Sequence, residues 1–365
     1  MILSFFCGST VGVSGRRSGG GVVSWGRTGL AGLALLLAVG CSDPRPTVVV
    51  YTSVDDVFAR PVLASFEEAT GVRVLPVFDV EAQKTTGLYH RLLAEKERPR
   101  ADVFWNSEVA RTLQLAAADV LAPYASEERA SMPATLRSPD ELWTGFGLRA
   151  RIIVYNRDLV SPEDVPASIR DLALPRFRGK AAIANPLFGT TTTHVGALWV
   201  EIGPERTQAL LEEYLANGVH VLAGNSTVRD RVARGELEIG LTDTDDANVA
   251  LIAGLPIGIV FPDQEPAAEG EEALGTFGIP NTVALIAGAP HEAEGKRLID
   301  FLLSPATEEA LARGESAQIP VRAGLEGPPR LDLPPDLRWM EVDYDAVARG
   351  VREATPWLEE RFATR

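Results

Sequence analysis

The sequence predicts an α/β fold built as two lobes, and three observations support that prediction. Apolar β-branched runs alternate with helical patterns at roughly the spacing of strand–helix–strand units, which favours a mostly parallel sheet. The chain has 365 residues, of which 45% are hydrophobic, enough to bury one large core or two smaller ones. The predicted strands are too numerous for one sheet of ordinary size, so two α/β lobes are the simpler solution.

The first 40 residues have the pattern of an export signal. Arginines precede an apolar run over 30–39, and small residues and Cys41 follow it. The run is too short to span a bilayer as a mature helix, although an uncleaved anchor is the alternative. The letters AVGC at its end resemble the lipobox of bacterial lipoproteins, in which the cysteine becomes a lipid-bearing N-terminus. We therefore expect a lipoprotein signal peptide over 1–40, a linker over 41–46, and an exported protein that is periplasmic or anchored to the cell envelope through lipid.

Cysteine content and charge exclude two classes of function. Cys7 and Cys41 are the only cysteines, and Cys7 would leave with the signal, so disulfides and thiol catalysis are not expected. The net charge is -15, and losing Arg16, Arg17 and Arg27 with the signal would take it to -18. Such a surface repels nucleic-acid phosphates, so we expect no nucleic-acid partner, and contact with the membrane only through the lipid anchor.

Strand and helix patterns alternate over the first part of the exported chain. They predict a strand at 47–53, a helix with apolar positions between 62 and 69, a strand at 72–78, a helix around 83–95 and a strand at 101–105. Pro61 fits the first turn of the first helix, and Gly71 fits the position just past its end.

The alternation continues through the second part. Strands are predicted at 149–156, 179–185, 236–241 and 256–261, and a run over 276–288 is expected to cross back after an acidic loop at 262–275. A helix over 189–203 carries one apolar stripe, and another helix begins near Asp246. His194 precedes that stripe and is predicted to lie on the surface of its helix.

Polar residues cluster where the predicted strands end and the following helices begin. In open parallel sheets ligands bind at that edge, because the helix N-termini there present free N–H groups. The candidate ligand-binding residues are Tyr51, Ser53, Asp55, Asn106, Glu108, Gly189, Thr190, Thr191, Asn225, Ser226, Asp243, Asp245 and Asp246. No catalytic residue is proposed, because the four histidines are scattered and no nucleophile, base and orienting group form a recognisable set.

Two of the predicted helix starts suit an anion. Gly189 is followed by a run of threonines, and Asn225 and Ser226 open the other helix. N–H groups and side-chain donors would converge on one point at either start. Ordinary helix N-capping is the alternative explanation for each of them.

The segment GLTDTDDANVALIAGL, over 240–255, places three aspartates within four positions at a strand-to-helix junction. One aspartate is explained by capping the helix, but three adjacent carboxylates repel one another, and a positive ligand or a metal ion would relieve that repulsion. Acid–base catalysis is the weaker alternative, since neighbours on one turn seldom face a shared bond.

Three segments carry a resemblance to a known family: VVVYTSVDDVFARPVLASFEEATGVRV, RADVFWNSE and GNSTVRDRVARGELEIGLTDTDDANVAL. Over most of residues 46–325 the chain resembles the ferric-iron-binding type of solute-binding protein of bacterial ABC transporters. The resemblance implies the type II periplasmic-binding-protein fold, with crossing hinge strands near 145–155 and 276–286 and a ligand between the lobes. It also implies delivery of that ligand to an ABC permease and its ATPase.

The same resemblance sets the expected domain limits. Lobe 1 would comprise 47–144 together with 278–325, and lobe 2 would comprise 145–277. The C-terminal helical segment, 326–365, is assigned to neither lobe.

Metal ligands of the family are retained only in part. Iron-binding members typically use two consecutive tyrosines after the strand that corresponds to LEIGL, and those positions are Asp245 and Asp246 here. A histidine often found after the first strand corresponds to Asp55, while the acidic ligand after ADVF is matched by Glu108. These four residues are the tentative metal ligands that the resemblance implies.

The anion-binding half of the family site looks preserved in Gly189, Thr190, Thr191 and Asn225. Ferric iron with a synergistic anion is therefore one expectation for the transported ligand, and no catalytic cofactor is expected. Carboxylates would equally suit calcium or another divalent ion. An organic zwitterion such as an aminophosphonate is a further alternative, with its phosphonate on the helix starts and its ammonium against the aspartates.

Binding and transport without catalysis is the function that these observations favour. Hinge closure around a small charged solute, followed by docking to a permease, would be its mechanism. A secreted hydrolase or transferase on the same scaffold is the rival from another class, since a fold does not fix a function. A regulatory or adhesion lipoprotein that has lost transport is a third possibility.

Overall fold

The computed structural model of the protein describes residues 45–79, 86–266 and 272–364. The predicted signal peptide, Cys41 and most of the predicted linker lie outside these ranges. Among the described helices, none combines the length and the apolar composition that crossing a bilayer requires.

The amino-terminal elements follow the predicted alternation. They are β1 (Thr47–Thr52), α1 (Asp56–Thr70), β2 (Arg73–Phe78), α2 (Thr86–Ala94), β3 (Val103–Asn106), α3 (Ala110–Ala117) and β4 (Leu121–Ala122). Gly71 ends α1 in the left-handed conformation with φ of 69°, as predicted for a residue just past a helix end. The prediction for Pro61 is wrong: α1 begins directly after Asp55, so Pro61 lies inside the helix.

Thirteen further elements complete the described fold. They are β5 (Thr144–Asn156), β6 (Ala181–Ala184), α4 (Gly189–Glu201), α5 (Pro204–Ala216), β7 (His220–Leu222), α6 (Asn225–Ala233), β8 (Ile239–Asp243), α7 (Thr244–Ile252), β9 (Ile257–Val260), β10 (Gly278–Ile286), α8 (Glu292–Leu302), α9 (Pro305–Arg313) and α10 (Tyr344–Phe362). β8 lies two to three residues later than predicted, which makes Asp243 its last residue.

Two long strands cross between the lobes, as the resemblance implied. The main path of hydrogen-bonded strands has the order β2-β1-β3-β10-β5-β8-β6-β7, with β5 and β10 at its centre. β5 pairs with β10 through residues 144–150 and with β8 and β9 through residues 151–156. One continuous strand therefore belongs to both lobes, which makes it the natural hinge element.

The mostly parallel sheet expected from the sequence is in fact mixed. Parallel pairing joins β1 to β2 and β3, and β6 to β7 and β8. β5 and β10 pair antiparallel with their described neighbours. The physical reason is direction: a chain that passes between the lobes enters each sheet against the run of its parallel strands.

Helices cover both faces of the sheet in each lobe. In the amino-terminal lobe (β1–β4, α1–α3, α8 and α9), Val48 and Val50 of β1 pack with residues of α1 and α8, whereas Tyr51 points to the opposite face beside α2 and α3. In the second lobe (β6–β9 and α4–α7), α4 and α5 cover one face and α6 and α7 the other. Inner strands such as β3, β6 and β8 are thus buried on two sides, as their continuous apolar sequences predict, whereas the edge strands β2 and β7 are only partly buried.

The C-terminal helix α10 packs against both lobes. Its residues Ala354 and Leu358 join the apolar cluster around α4, and Ala348 joins the cluster around α2 and α3. It crosses α4 where Gly196 and Gly350 meet: a Cβ on Gly196 would lie 2.4 Å from Val351 Cγ2. The helix that the sequence left unassigned is therefore shared between the lobes.

The contact between α4 and α10 leads to a stability prediction. Gly196→Ala should lower the free energy of unfolding by about 1–3 kcal/mol, because overpacking a close backbone contact forces the two helices apart. Urea denaturation followed by circular dichroism measures the change. Glu201→Ala, at an exposed position of the same helix, is the matched control and should change stability by less than about 0.5 kcal/mol. Equal stability of Gly196→Ala and the unmodified protein would contradict the prediction.

Candidate functional site

Three helices of the second lobe begin side by side at one edge of its sheet. β8, β6 and β7 are neighbours and run parallel, so the helices that follow them, α7, α4 and α6, start at the same edge. A cleft of about 510 Å³, which includes space open to solvent, lies at these starts. Arg149 of the crossing strand β5, and Asp55 and Ser107 of the amino-terminal lobe, complete its lining. The cleft therefore lies between the two lobes.

Most of the predicted ligand-binding residues meet in this cleft. Those that line it are Asp55, Gly189, Thr190, Thr191, Asn225, Ser226, Asp243, Asp245 and Asp246. Ser107, which follows the same predicted strand as Asn106, also lines it, and the described lining is completed by Arg149, Ala184, Asn185, Phe188, Ala223 and Gly224, which were not predicted. Parallel strand order explains the gathering, because every strand-to-helix junction of the second lobe opens at one place.

The structure places Tyr51 outside the cleft lining, on the face of β1 that packs against α2. Its hydroxyl donates to Glu95 Oε2 at 2.9 Å, and the Arg91 guanidinium lies 4.6 Å from its ring centroid. Burial and the neighbouring Glu95 carboxylate raise the pKa of Tyr51 to about 12. The phenol is thus protonated at neutral pH and bound to another side chain, a poor state for a cleft ligand.

Ser53 and Asn106 lie behind the cleft wall, in a buried network of the amino-terminal lobe. Ser53 Oγ donates to Asn106 Oδ1 at 2.6 Å and accepts from the Ser107 backbone N–H at 2.9 Å. Asn106 Nδ2 donates to Thr112 Oγ1 at 3.0 Å. These bonds hold Ser107 in the lining, so Ser53 and Asn106 support the cleft indirectly.

Glu108 caps α3 and reaches the second lobe. Its carboxylate accepts from the backbone N–H groups of Ala110 at 2.6 Å and Arg111 at 3.0 Å, which satisfies the start of that helix. The same carboxylate accepts from Thr193 Oγ1 of α4 at 2.8 Å. Glu108 is therefore a buried bridge between the lobes.

Asp243 is the most completely bonded of the three clustered aspartates. Arg151 Nη1 donates to its Oδ1 at 2.7 Å, and Thr190 Oγ1 and Asn225 Nδ2 donate to its Oδ2 at 2.7 Å and 3.0 Å. Burial alone would raise its pKa, but the attraction of Arg151 and Arg149 outweighs burial and holds the pKa of Asp243 below its ordinary value. The carboxylate is therefore ionised and has a cation of the protein itself as its partner.

Arg149 joins the aspartates to the amino-terminal lobe. Its Nη1 donates to Asp245 at 3.3 Å and to Asp243 at 3.4 Å, and its Nη2 donates to the Ser107 carbonyl oxygen. Burial opposes its charge, but Asp245, Asp243 and Asp55 attract it strongly enough to raise the pKa of this guanidinium above its ordinary value. One side chain of the crossing strand thus bonds to both lobes.

Asp246 lies at the rim of the cleft, beside the Arg229 guanidinium. Its Oδ1 is 3.5 Å from Arg229 Nη1, and its Oδ2 accepts from Thr242 Oγ1 at 3.1 Å. Each of the three clustered aspartates therefore has a guanidinium within 3.5 Å. Arginines of the chain therefore supply positive charge beside the three aspartates.

The predicted metal ligands are brought together only in part. One carboxylate oxygen each of Asp243, Asp245 and Asp246 lies within 4.8 Å of the other two, close enough to share an ion. Asp55 and Glu108 are not part of that group, and Glu108 is committed to α3 and α4. Asp245 and Asp246 of the predicted set therefore lie together with Asp243 at the β8–α7 junction, and a metal-binding role for the set stays a prediction.

The sequence contains an indication that Arg149 and Arg151 are buried beside acidic partners, although the apolar character of the strand obscures it. RARIIVYN places Arg149 and Arg151 two residues apart in a predicted strand, and alternate residues of a strand point to the same face. Two charges on one face of a strand that is otherwise apolar indicate buried partners of opposite charge. The aspartate cluster was the matching partner.

α4 and α6 begin without side-chain caps. Their N-cap residues, Phe188 and Gly224, make no side-chain hydrogen bond to the helix. Thr190 and Asn225 use their side chains to bind Asp243 instead. The N-terminal N–H groups and the positive ends of two helix dipoles consequently face the cleft, which favours an anionic group there.

His194 is buried, so the prediction of a surface position is wrong. Its ring stacks on Phe277 with centroids 5.3 Å apart and planes 9° apart. Burial and the nearby Arg151 lower the pKa of His194 to about 3, so the ring is neutral at physiological pH. His194 points away from α10, which meets α4 at Gly196, and toward Phe277 and the buried Arg151.

Comparison with known proteins gives relatives of one broad kind. The chain is 29% identical to Iron uptake protein A1 of Synechocystis over 274 residues, which cover 72% of each chain. It is 26% identical to a putative 2-aminoethylphosphonate-binding periplasmic protein of Salmonella typhi, over 64% of this chain and 66% of that one. The solved ferric binding protein of Campylobacter jejuni has the same fold, with a TM-score of 0.76, 21% identity, and coverage of 86% of this chain and 98% of that one.

A family as a whole also matches the chain. Bacterial extracellular solute-binding proteins match residues 101–347, more than half of the chain and nearly all of the elements that build the cleft. The two-lobe type II fold, with its crossing strands, agrees with that match. The chain belongs to the family of bacterial extracellular solute-binding proteins.

Proposed function

We propose that this protein is the solute-binding component of an ABC importer, which captures a small charged solute in the interlobe cleft and delivers it to a permease and its ATPase. One observation carries the proposal: acidic side chains from the β8–α7 junction and donors from the starts of α4 and α6 line a single cleft between the lobes. The crossing strand β5 lines the same cleft, so one strand both contacts the ligand and connects the two lobes at the hinge.

The predicted export of the protein supports this role. The amino-terminal pattern predicts a signal peptide and a lipid-bearing Cys41, and a relative is named as a periplasmic protein. A protein held at the outer face of a membrane by lipid can close on a solute and dock to a permease in that membrane.

The charges around the cleft favour a zwitterionic organic solute. The described charged groups in it and directly behind it are Asp55, Asp230, Asp243, Asp245, Asp246, Arg149, Arg151 and Arg229. Five carboxylates and three guanidiniums leave two negative charges, so a purely anionic solute would be repelled overall. A solute that carries both a phosphonate or phosphate and an ammonium fits these charges. The uncapped starts of α4 and α6 would bind the phosphonate or phosphate, and the rim aspartates Asp245 and Asp246 would bind the ammonium.

Ferric iron with a synergistic anion is the second candidate. Iron-uptake relatives and the three aspartates with oxygens within 4.8 Å support it. Iron would have to displace Arg149 from Asp243 and Asp245, because those oxygens already accept from the guanidinium. The described lining residues include neither tyrosine nor histidine, so carboxylates would be its principal protein ligands. The geometry therefore favours the zwitterion over the metal.

A ligand panel distinguishes the two candidates. 2-Aminoethylphosphonate should raise the melting temperature of the exported form, with a stabilisation of about 2.7 kcal/mol when its concentration is 100 times its Kd. Ethylphosphonate, which lacks the ammonium, and ethanolamine, which lacks the phosphonate, are matched controls and should give much smaller shifts. Differential scanning fluorimetry gives the readout. A larger shift with ferric nitrilotriacetate than with the aminophosphonate would favour iron instead.

The acidic rim can be tested separately. Asp245→Asn combined with Asp246→Asn should abolish the ligand-induced shift in melting temperature. It should also destabilise the unliganded protein by about 1–3 kcal/mol, because Arg149 and Arg229 lose charged partners. Asp56→Asn combined with Asp140→Asn removes the same charge from exposed positions and should leave binding intact. Normal binding by the rim variant would show that these aspartates serve structure alone.

A further inference from the structure

The carboxylate oxygens that a metal ion would use are already engaged. Asp243 Oδ1 accepts from Arg151 at 2.7 Å, and Asp243 Oδ2 accepts from Thr190 and Asn225. Asp245 Oδ2 accepts from Arg149 at 3.3 Å, while Asp245 Oδ1 accepts from the Asp246 backbone N–H at 3.1 Å. A metal ligand must turn a free lone pair toward the ion, so these bonds compete directly with coordination.

The backbone places Arg151 directly beside its partner. Arg151 is paired in register with Asp243 across the β5–β8 ladder, and the neighbouring Ala150 N–H donates to Thr244 Oγ1 at 3.1 Å. Arg151 is completely buried, with further bonds to Thr191 and Asn225. The Arg151 guanidinium therefore cannot leave Asp243 without also losing its bonds to Thr191 and Asn225.

We infer that Arg149 and Arg151 are the specificity-determining residues of this cleft: as built-in cations on the aspartate cluster, they exclude bare metal ions and reserve the cleft for a solute with an anionic group. The inference rests on the proposed function, because it assigns the selectivity of the same cleft. It adds that selectivity lies in the crossing strand and not in the aspartates themselves.

Charge and distance support this role. A calcium or ferric ion coordinated by Asp243 and Asp245 would lie at about 2.0–2.6 Å from their oxygens, and hence close to two guanidiniums that contact the same atoms. Like charges at that separation repel strongly in a water-poor site. An anionic group would instead be attracted, because Arg149 lines the cleft and the starts of α4 and α6 add positive potential.

The two arginines differ in how they can be tested. Arg151 is enclosed by four partners and supports the fold, whereas Arg149 lies in the cleft lining. Arg149→Met removes the charge and keeps most of the side-chain length. It opens the Asp243 and Asp245 oxygens on the side that faces the cleft while Arg151 still holds the ladder.

Calorimetric titration with calcium chloride, and separately with ferric nitrilotriacetate, tests the inference. The unmodified protein should show no saturable binding of calcium at millimolar concentration. Arg149→Met should bind calcium at least about tenfold more tightly than the unmodified protein, the change expected for losing one nearby positive charge. The gain should be absent from Arg149→Met combined with Asp245→Asn, which removes a carboxylate that the new site needs.

Two further variants serve as controls. Arg149→Lys keeps the positive charge and should gain no metal binding. Arg229→Met removes the same unit of charge from the rim, where the side chain contacts Asp230 and Asp246 but neither Asp243 nor Asp245 in the described contacts, and should give a clearly smaller gain than Arg149→Met. Equal gains in Arg149→Met and Arg229→Met would attribute the effect to net charge and overturn the inference.

Two other outcomes also overturn it. One is tight metal binding by the unmodified protein that Asp245→Asn abolishes, and the other is a folded Arg149→Met that gains no metal affinity. Should Arg149→Met fail to fold, Arg149→Gln, which keeps hydrogen-bond donors without the charge, is titrated instead. The proposed function is tested separately. It requires that the unmodified protein bind a solute, whereas this inference requires that the Arg149 variant bind a metal ion.

Discussion

The buried ion pair between Arg151 and Asp243 is the interaction on which the rest of the site depends. It joins the crossing strand to the last residue of β8, and Thr190 and Asn225 bring the starts of α4 and α6 to the same carboxylate. Removing a charge this deeply from water is unfavourable unless every partner is in place. One satisfied carboxylate therefore sets the positions of three helix starts, and with them the shape of the cleft.

The sequence allowed the architecture and much of the site to be predicted, because both follow from local periodicity and strand order. Continuous apolar runs such as 47–53 and 101–105 predict strands covered by helices, and parallel strands place their carboxyl ends together, so polar residues at those ends met in one cleft. Crossing strands were expected from the family resemblance, and β5 and β10 have that arrangement. The mixed character of the sheet did not follow, since periodicity carries no information on strand direction.

What could not be predicted depends on which side chains meet across the fold. Arg149 and Arg151 lay in a strand whose apolar character dominated its interpretation, and their partners are about 90 residues further along the chain. Tyr51 was expected in the cleft, but the alternation of β1 turns it to the other face of the sheet. His194 is buried against Phe277, which lies about 80 residues further along the chain. Each case is a tertiary contact that no local pattern contains.

The crossing strand β5 combines two tasks that could have been separated: its backbone connects the lobes, and its arginines bind the cluster that lines the cleft. Such overlap constrains divergence, because a substitution that alters selectivity in this segment also disturbs the mechanics of opening and closing. Paralogues that take a different solute with an anionic group should therefore differ first at rim positions such as Ser226 and Asp246, with the paired arginines inherited unchanged.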